Sequence, residues 1–194
     1  MKVLLAHGSP DSTHAKEVRK VAAAVSKRLG EAVTAAFLSD NQLPCNAVVV
    51  PLFLGAGVHL TKDTPRLAGN ANCTLLPSLG SHTEEIVALV RTSQADKTIF
   101  LFYQSAGFER LQAALQPYGQ IAFLHGEPSL SAALQQMHEN SVTVQPLLLF
   151  PGRSLARVRA MVANSSTPNA RIGQVLCELD GFAERVANCF RENS

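Results

Sequence analysis

Two histidines in this sequence stand where chemistry could be done. His7 closes the apolar run Val3-Leu-Leu-Ala6 and is followed by Gly8-Ser9; His59 closes Pro51-Leu-Phe-Leu-Gly-Ala-Gly-Val58. An apolar run with glycine-rich punctuation behind it reads as a buried parallel strand running into a loop. In open α/β sheets the ligand lies beyond the carboxyl ends of the strands. Both imidazoles are therefore expected on the ligand side of one sheet. Glycines beside each ring let a ligand approach the backbone. A neutral imidazole offers a ring nitrogen to a metal ion, and two at one edge could share one. Gly8 and Ser9, just before a helix, could also receive a carboxylate or phosphate through backbone N–H groups.

The other histidines read differently. His14 and His138 fall on polar faces of helices and are expected to be solvated. His82 stands in a turn before a helix and could line a cleft, and His125 ends a strand in the second half. Several chemistries are excluded by what is missing. There is no Gly-Lys-Ser/Thr phosphate loop, no G-x-G-x-x-G after the first strand and no G-x-S-x-G elbow. Nucleotide-cofactor and serine-hydrolase readings lose ground accordingly. The four cysteines, Cys45, Cys73, Cys177 and Cys189, form no C-x-x-C pair. They are expected to be buried thiols in a reducing compartment rather than zinc ligands.

The elements that must position the two histidines follow from periodicity. Of 194 residues 46% are hydrophobic and 16% charged, which gives a globular chain with a real core. The net charge of +2 is too mild to argue for nucleic acid but suits a small acidic ligand. No apolar run approaches the roughly 20 residues that span a bilayer, and the start of the chain enters a strand rather than a signal peptide. A cytoplasmic protein is expected. Strands are expected at 3–6, 33–38, 47–54 and 73–76, and a helix follows the first, with Ala15, Val18, Val21, Ala22, Val25 and Leu29 on one face and Gly30 as its stop. Ser39 to Pro44 holds turn residues where a crossover helix is usual, so a loop is expected in its place. A short helix or loop should cover 60–69, and a helix 84–91.

The second half repeats this order, with strands at 98–103, 121–124, 142–150 and 172–176 and helices near 108–115, 128–137, 154–162 and 179–190. Asn46-Ala-Val-Val-Val-Pro-Leu-Phe-Leu-Gly-Ala-Gly57 lies over Ser141-Val-Thr-Val-Gln-Pro-Leu-Leu-Leu-Phe-Pro-Gly152. The fold class is therefore α/β: two similar parallel-sheet lobes related by internal duplication, with a cleft between them. An N-terminal lobe is expected over 1–94 and a degenerate C-terminal repeat over 95–194. In that repeat Tyr103 answers His7 and Ser154 answers His59, so one metal site is expected, in the first lobe.

His7-Gly-Ser-Pro-Asp11, the run from Val50 through His59-Leu-Thr-Lys-Asp-Thr-Pro65, and Leu79-Gly-Ser-His82 together resemble the sirohydrochlorin chelatases of the CbiX and SirB kind. The resemblance is strong over the first half and extends to the second in layout. It implies paired α/β lobes and insertion of Co²⁺ or Fe²⁺ into sirohydrochlorin, a carboxylate-rich tetrapyrrole, without a nucleotide. It implies that His7 and His59 bind the metal and act in catalysis. Carboxylates of such a substrate would call for donors, for which Gly8, Ser9, Lys62, Arg153 and Arg157 are the candidates. The family often carries a glutamate near the end of its second strand; this chain reads Ser39-Asp40 there, with Asp40 displaced by one position. The alternative to an enzyme is a metal- or tetrapyrrole-binding protein of the same descent that has given up turnover.

Overall fold

The computed structural model describes residues 1–91, 97–137, 141–167 and 169–192. His138 and the expected repeat border at 94/95 lie outside the described residues. In chain order the elements are β1 (Lys2–Ala6), α1 (Ser12–Leu29), β2 (Val33–Phe37), β3 (Val48–Pro51), α2 (Thr64–Asn70), β4 (Thr74–Leu75) and α3 (Thr83–Arg91), then β5 (Thr98–Phe102), α4 (Glu109–Leu115), β6 (Gln120–Phe123), α5 (Leu130–Gln135), β7 (Val142–Pro146), α6 (Arg153–Ala163), β8 (Ala170–Ile172) and α7 (Phe182–Arg191). The strands form two parallel four-stranded sheets, ordered β2-β1-β3-β4 and β6-β5-β7-β8. The duplication read from the sequence is thus present in topology, and in register as well. Leu5 pairs with Pro51 as Leu101 pairs with Pro146.

The chain forms two compact units, Met1–His82 with Asp180–Ser194, and Thr83–Leu179. Their composition differs from the repeat in one respect. The last helix of each repeat joins the other repeat's unit: α3 packs on α4, and α7 on α1.

In the first unit, Val3 and Leu5 of β1 and Val49 of β3 share a core with Leu67, Ala68 and Ala71 of the α2 region. Leu4 is equally buried but points to the opposite face, as strand alternation requires. Helix α1 buries Val18, Val21, Ala22 and Val25; Asp11 accepts from the Thr13 N–H at 2.9 Å to cap it, and Gly30 closes it in the left-handed region. Helix α7 buries Phe182, Val186, Ala187, Cys189 and Phe190. It is held to the end of α1 by an Arg28–Glu184 pair at 3.2 Å and by Arg191 donating to the Arg28 carbonyl.

The connection from β2 to β3 carries one turn of 3₁₀ helix, Leu38–Asp40, and no α-helix. The two strands it joins are not neighbours but flank β1. Leu43 does what a helix side chain would do. It is 5% exposed and enters the core formed by Val3, Leu5, Val49 and Leu67. The Cys73 thiol on the Pro44 carbonyl at 3.1 Å and Asn72 on Asn46 at 2.7 Å fasten the loop.

The second unit has an α-helix, α5, at the matching point. Leu130, Ala133 and Leu134 from it join Ile99, Leu101, Ala122, Val142, Val144, Val158 and Val162 in one core. Several boundaries differ from expectation: β3 and β7 end at Pro51 and Pro146 rather than at 54 and 150, and α5 spans Leu130–Gln135 rather than 128–137; two further shifts have a local cause. The last strand spans Ala170–Ile172 rather than 172–176, because the buried Gln145 side chain takes the Gln174 carbonyl at 2.8 Å and ends the ladder. The final helix begins at Phe182, not 179, because Gly181 holds a left-handed φ of 88°. The cysteines are free but not uniformly buried as expected: Cys45 is exposed and Cys189 buried. Among the described residues no helix is long and apolar enough to cross a membrane.

Leu43→Ala truncates the side chain that the loop buries most deeply in this core, Leu38 packing against it only partly buried. We expect it to lower stability by about 2–4 kcal/mol, read as a fall in the urea midpoint with native far-ultraviolet dichroism retained. An unchanged midpoint would show that the loop covers nothing.

Candidate metal centre

His7 is the first residue beyond β1. Its carbonyl still accepts a bond from the Ser39 N–H at 3.3 Å, so the ladder to the β2 strand fixes where the residue emerges. Gly8 then turns with φ +90°, and a Cβ there would lie 2.3 Å from the Ser39 hydroxyl oxygen. Only glycine passes at this point. Ser9 accepts from the Asp11 N–H at 3.1 Å, which leads the chain into α1.

His59 is delivered by a longer path. The Leu52 N–H bonds the Leu5 carbonyl at 2.8 Å, and the Gly80 N–H bonds the Phe53 carbonyl at 2.8 Å. A Cβ on Gly80 would lie 2.1 Å from the Leu54 carbonyl oxygen, so the loop and Gly80 are in direct backbone contact. His59–Asp63 then forms one π-helical turn, a form that occurs mostly as single turns and often at functional sites. The buried Thr64 hydroxyl donates to the His59 carbonyl at 2.7 Å and anchors that turn.

The two rings meet. His7 Nε2 lies 3.0 Å from His59 Nε2, with ring centroids 4.3 Å apart and planes at 77°. The outer nitrogens are both occupied. His7 Nδ1 is 2.8 Å from the Gly8 carbonyl oxygen, and His59 Nδ1 is 2.8 Å from Asp63 Oδ2. A carbonyl and a carboxylate only accept, so each Nδ1 carries the hydrogen. In the neutral tautomer each Nε2 is then a bare lone pair, and the two lone pairs face each other. Such an arrangement is favourable only with a proton or a cation to share. With metal–nitrogen bonds of about 2.1 Å, nitrogens 3.0 Å apart subtend about 90° at the ion. An ion shared by the two would be held by a cis pair.

Asp63 is the residue that sequence reasoning did not single out. Its carboxylate takes the His59 Nδ1 hydrogen and so fixes the orientation and tautomer of the ring. The signal was present as His59-Leu-Thr-Lys-Asp63, two side chains four positions apart on one turn.

The other expected site residues divide. Gly8 belongs to the centre through its carbonyl, and exposed Ser9 stands in the adjoining turn. Lys62 is exposed on the π-helical turn, between His59 and Asp63 in sequence. Arg153 opens α6 in the second unit and is exposed. Asp40 accepts from the Ser39 hydroxyl at 3.3 Å. Among the described residues no set of three or more His, Cys, Asp or Glu side chains is gathered as a metal site, so neither Asp40 nor another group completes a triad with the histidines.

His14 is not solvated as expected but half-buried, its ring 6.3 Å from that of Phe37. Burial, seconded by the charge of His7, pushes its pKa below the ordinary imidazole value, with Asp11 pulling the other way. His82 turns its Nδ1 toward Glu192 at 3.7 Å, at the end of α7.

The fold containing this pair is that of the chelatases. Over 100% of this chain and 99% of the other, with a TM-score of 0.75 at 17% identity, it is similar to CbiX, described as the terminal enzyme for biosynthesis of siroheme in denitrifying bacteria. It is similar to SirB from Bacillus subtilis solved with Fe³⁺, over 98% of this chain and 94% of that one, with a TM-score of 0.73 at 18% identity. The sirohydrochlorin chelatase SirB of Bacillus subtilis subspecies spizizenii, in complex with cobalt, matches over 98% and 92%, with a TM-score of 0.69 at 20% identity. A family model, CbiX, matches residues 2–96, the segment that carries both histidines. Comparison with curated proteins gave no match.

Two expectations follow from the geometry. Asp63→Asn keeps the size of the side chain and removes its charge; Co²⁺ affinity by calorimetry should fall about tenfold. Equal affinity would mean that Asp63 does not tune the ring. A nuclear magnetic resonance titration should place the His14 midpoint below that of an ordinary histidine, and His7→Ala should raise it. Because the folded state lowers this pKa, the stability it contributes is complete above the ordinary value of 6.5 and is lost as pH falls through the lowered one.

Proposed function

We propose that the protein is a cytoplasmic chelatase that inserts a divalent metal, Co²⁺ or Fe²⁺, into a carboxylate-rich tetrapyrrole of the sirohydrochlorin type, without a nucleotide. The metal is a substrate. The observation that carries this reading is the pair of bare Nε2 atoms at 3.0 Å, each fixed by an acceptor on its outer nitrogen. Imidazole nitrogen suits Co²⁺ and Fe²⁺ alike.

His7 and His59 hold the ion by two bonds. That is enough to strip part of its water and little enough to release it to four macrocycle nitrogens. Insertion also frees two pyrrole protons. Each Nε2 that gives up the metal becomes a free base beside the macrocycle, so two imidazoles match two protons. Asp63 stabilises the imidazolium that forms at His59, and the Gly8 carbonyl does the same more weakly at His7. Gly8, Ser9, Lys62 and Arg153 supply donors for the substrate's carboxylates.

A second reading has one observation in its favour. Ser39 stands where relatives often carry a glutamate, and the ion is left with two protein ligands among the described residues. A protein that binds metal and tetrapyrrole without turnover would tolerate that loss.

The two are separated by one assay. With sirohydrochlorin and Co²⁺, the wild-type chain should change the macrocycle's absorbance faster than the spontaneous reaction. His7→Ala and His59→Ala should each abolish the acceleration. A wild-type rate equal to that of buffer, with the tetrapyrrole bound, would select the binding protein.

A further inference from the structure

The second unit answers the histidine centre position by position. Because Leu101 pairs with Pro146 as Leu5 pairs with Pro51, Tyr103 holds the place of His7. The Tyr103 carbonyl accepts from the His125 N–H at 2.9 Å, as that of His7 accepts from Ser39, so His125 holds the place of Ser39. Counting on from Pro146 as from Pro51, Ser154 stands for His59 and Arg157 for Lys62. The frame is retained, and every side chain on it has changed.

We propose that this corner of the second unit is a carboxylate-binding site built from Tyr103, His125 and Arg157, with Arg153 at its margin. It rests on the chelatase reading for the identity of the ligand: the side groups of an acidic tetrapyrrole. The chemistry of the corner itself selects an anion. Arg157 Nη1 lies 3.5 Å from His125 Nε2, and a guanidinium has no acceptor, so the ring nitrogen is the bare one and His125 Nδ1 carries a hydrogen. The Tyr103 ring packs on that of His125, with centroids 4.8 Å apart and planes at 59°, which holds both in place. Tyr103 is 42% exposed, and His125, Arg153 and Arg157 are exposed too.

The donors that this corner offers, all on exposed side chains, are a phenol O–H, an imidazole N–H and guanidinium N–H groups. Arg153 adds a second cation one helical turn before Arg157, on the same face of α6. That helix has eleven residues and no side chain capping its first N–H groups. Glu127, in the loop after His125, accepts from the Ser129 N–H at 2.9 Å and is engaged with its own backbone. Fixed positive charge repels a divalent metal, whereas the planar guanidinium fork fits a carboxylate in two-point fashion. The repeat has therefore replaced ligands for a cation with donors for an anion.

The test uses the whole chain and metal-free uroporphyrin, which carries eight carboxylates. Binding is read from porphyrin fluorescence, and the His125 ring is followed by nuclear magnetic resonance with labelled histidine. Uroporphyrin should move the His125 resonance. Arg157→Gln should weaken its binding about tenfold, the usual effect of losing a charge-assisted bond, and Tyr103→Phe about threefold. A bound porphyrin that leaves His125 unmoved, or equal affinity in both variants, overturns the proposal. Citrate provides the second arm. If uroporphyrin does not bind but citrate moves His125 in the wild type and not in Arg157→Gln, the carboxylate site stands and the tetrapyrrole reading fails. If neither ligand moves His125, the site is refuted.

Discussion

Two nitrogen lone pairs aimed at one point are an electrostatic conflict, and the first unit is arranged to produce it. Nothing about a histidine decides by itself which ring nitrogen is bare. The decision is made behind the rings, where the Gly8 carbonyl and the Asp63 carboxylate each take the Nδ1 hydrogen. With both outer nitrogens settled, His7 and His59 cannot relieve the contact by changing tautomer. They need a guest of positive charge. On the proposed reading, a cation held by only these two nitrogens would stay accessible on its other sides, as a transfer site requires and a structural site avoids.

The surroundings serve that contact in unequal ways. His7 is placed by a strand end, a rigid origin, and by a glycine that lets the chain slip past Ser39. His59 is placed by a loop, and loops must be braced to be accurate. Here the bracing comes from the Gly80 N–H on the Phe53 carbonyl, the Thr64 hydroxyl on the His59 carbonyl and a π-helical turn that brings Asp63 Oδ2 to the ring's Nδ1. The half-buried His14 adds a further influence. Burial disfavours its charged form, which works against a further positive charge near His7.

Much of this was legible in the sequence. The runs Val3–Ala6 and Ala47–Leu54 announce buried strands, and their ends fix the edge at which the histidines emerge. The repeat across Pro51 and Pro146 gave the shared register. What could not be read depends on partners rather than on period. Asp63 lay in plain view, but its meaning rests on a 2.8 Å distance that only the π-helical turn creates. Leu43 looked like one apolar residue in a polar loop, and its role as substitute for a missing helix is a matter of packing. His14 falls on the polar side of α1 by periodicity, yet the Phe37 ring stands within 6.3 Å of its own. Periodicity reports which side of a helix is apolar, not what leans over its edge.

The exchange of terminal helices has a consequence for how the polypeptide can be divided. Each repeat carries a sheet and the helices nearest to it, but α1 is covered by α7 and α4 by α3. A protease or a gene truncation acting at the border of the repeats would leave neither fragment with the cover its own first helix needs. The apolar stripe of α7, with Phe182, Val186 and Phe190 along it, would go with the wrong piece. Fusion of the two copies into one strand of covalent chain therefore does more than tether them: it guarantees each half a constant supply of its counterpart's last helix, at an effective concentration no bimolecular encounter would match.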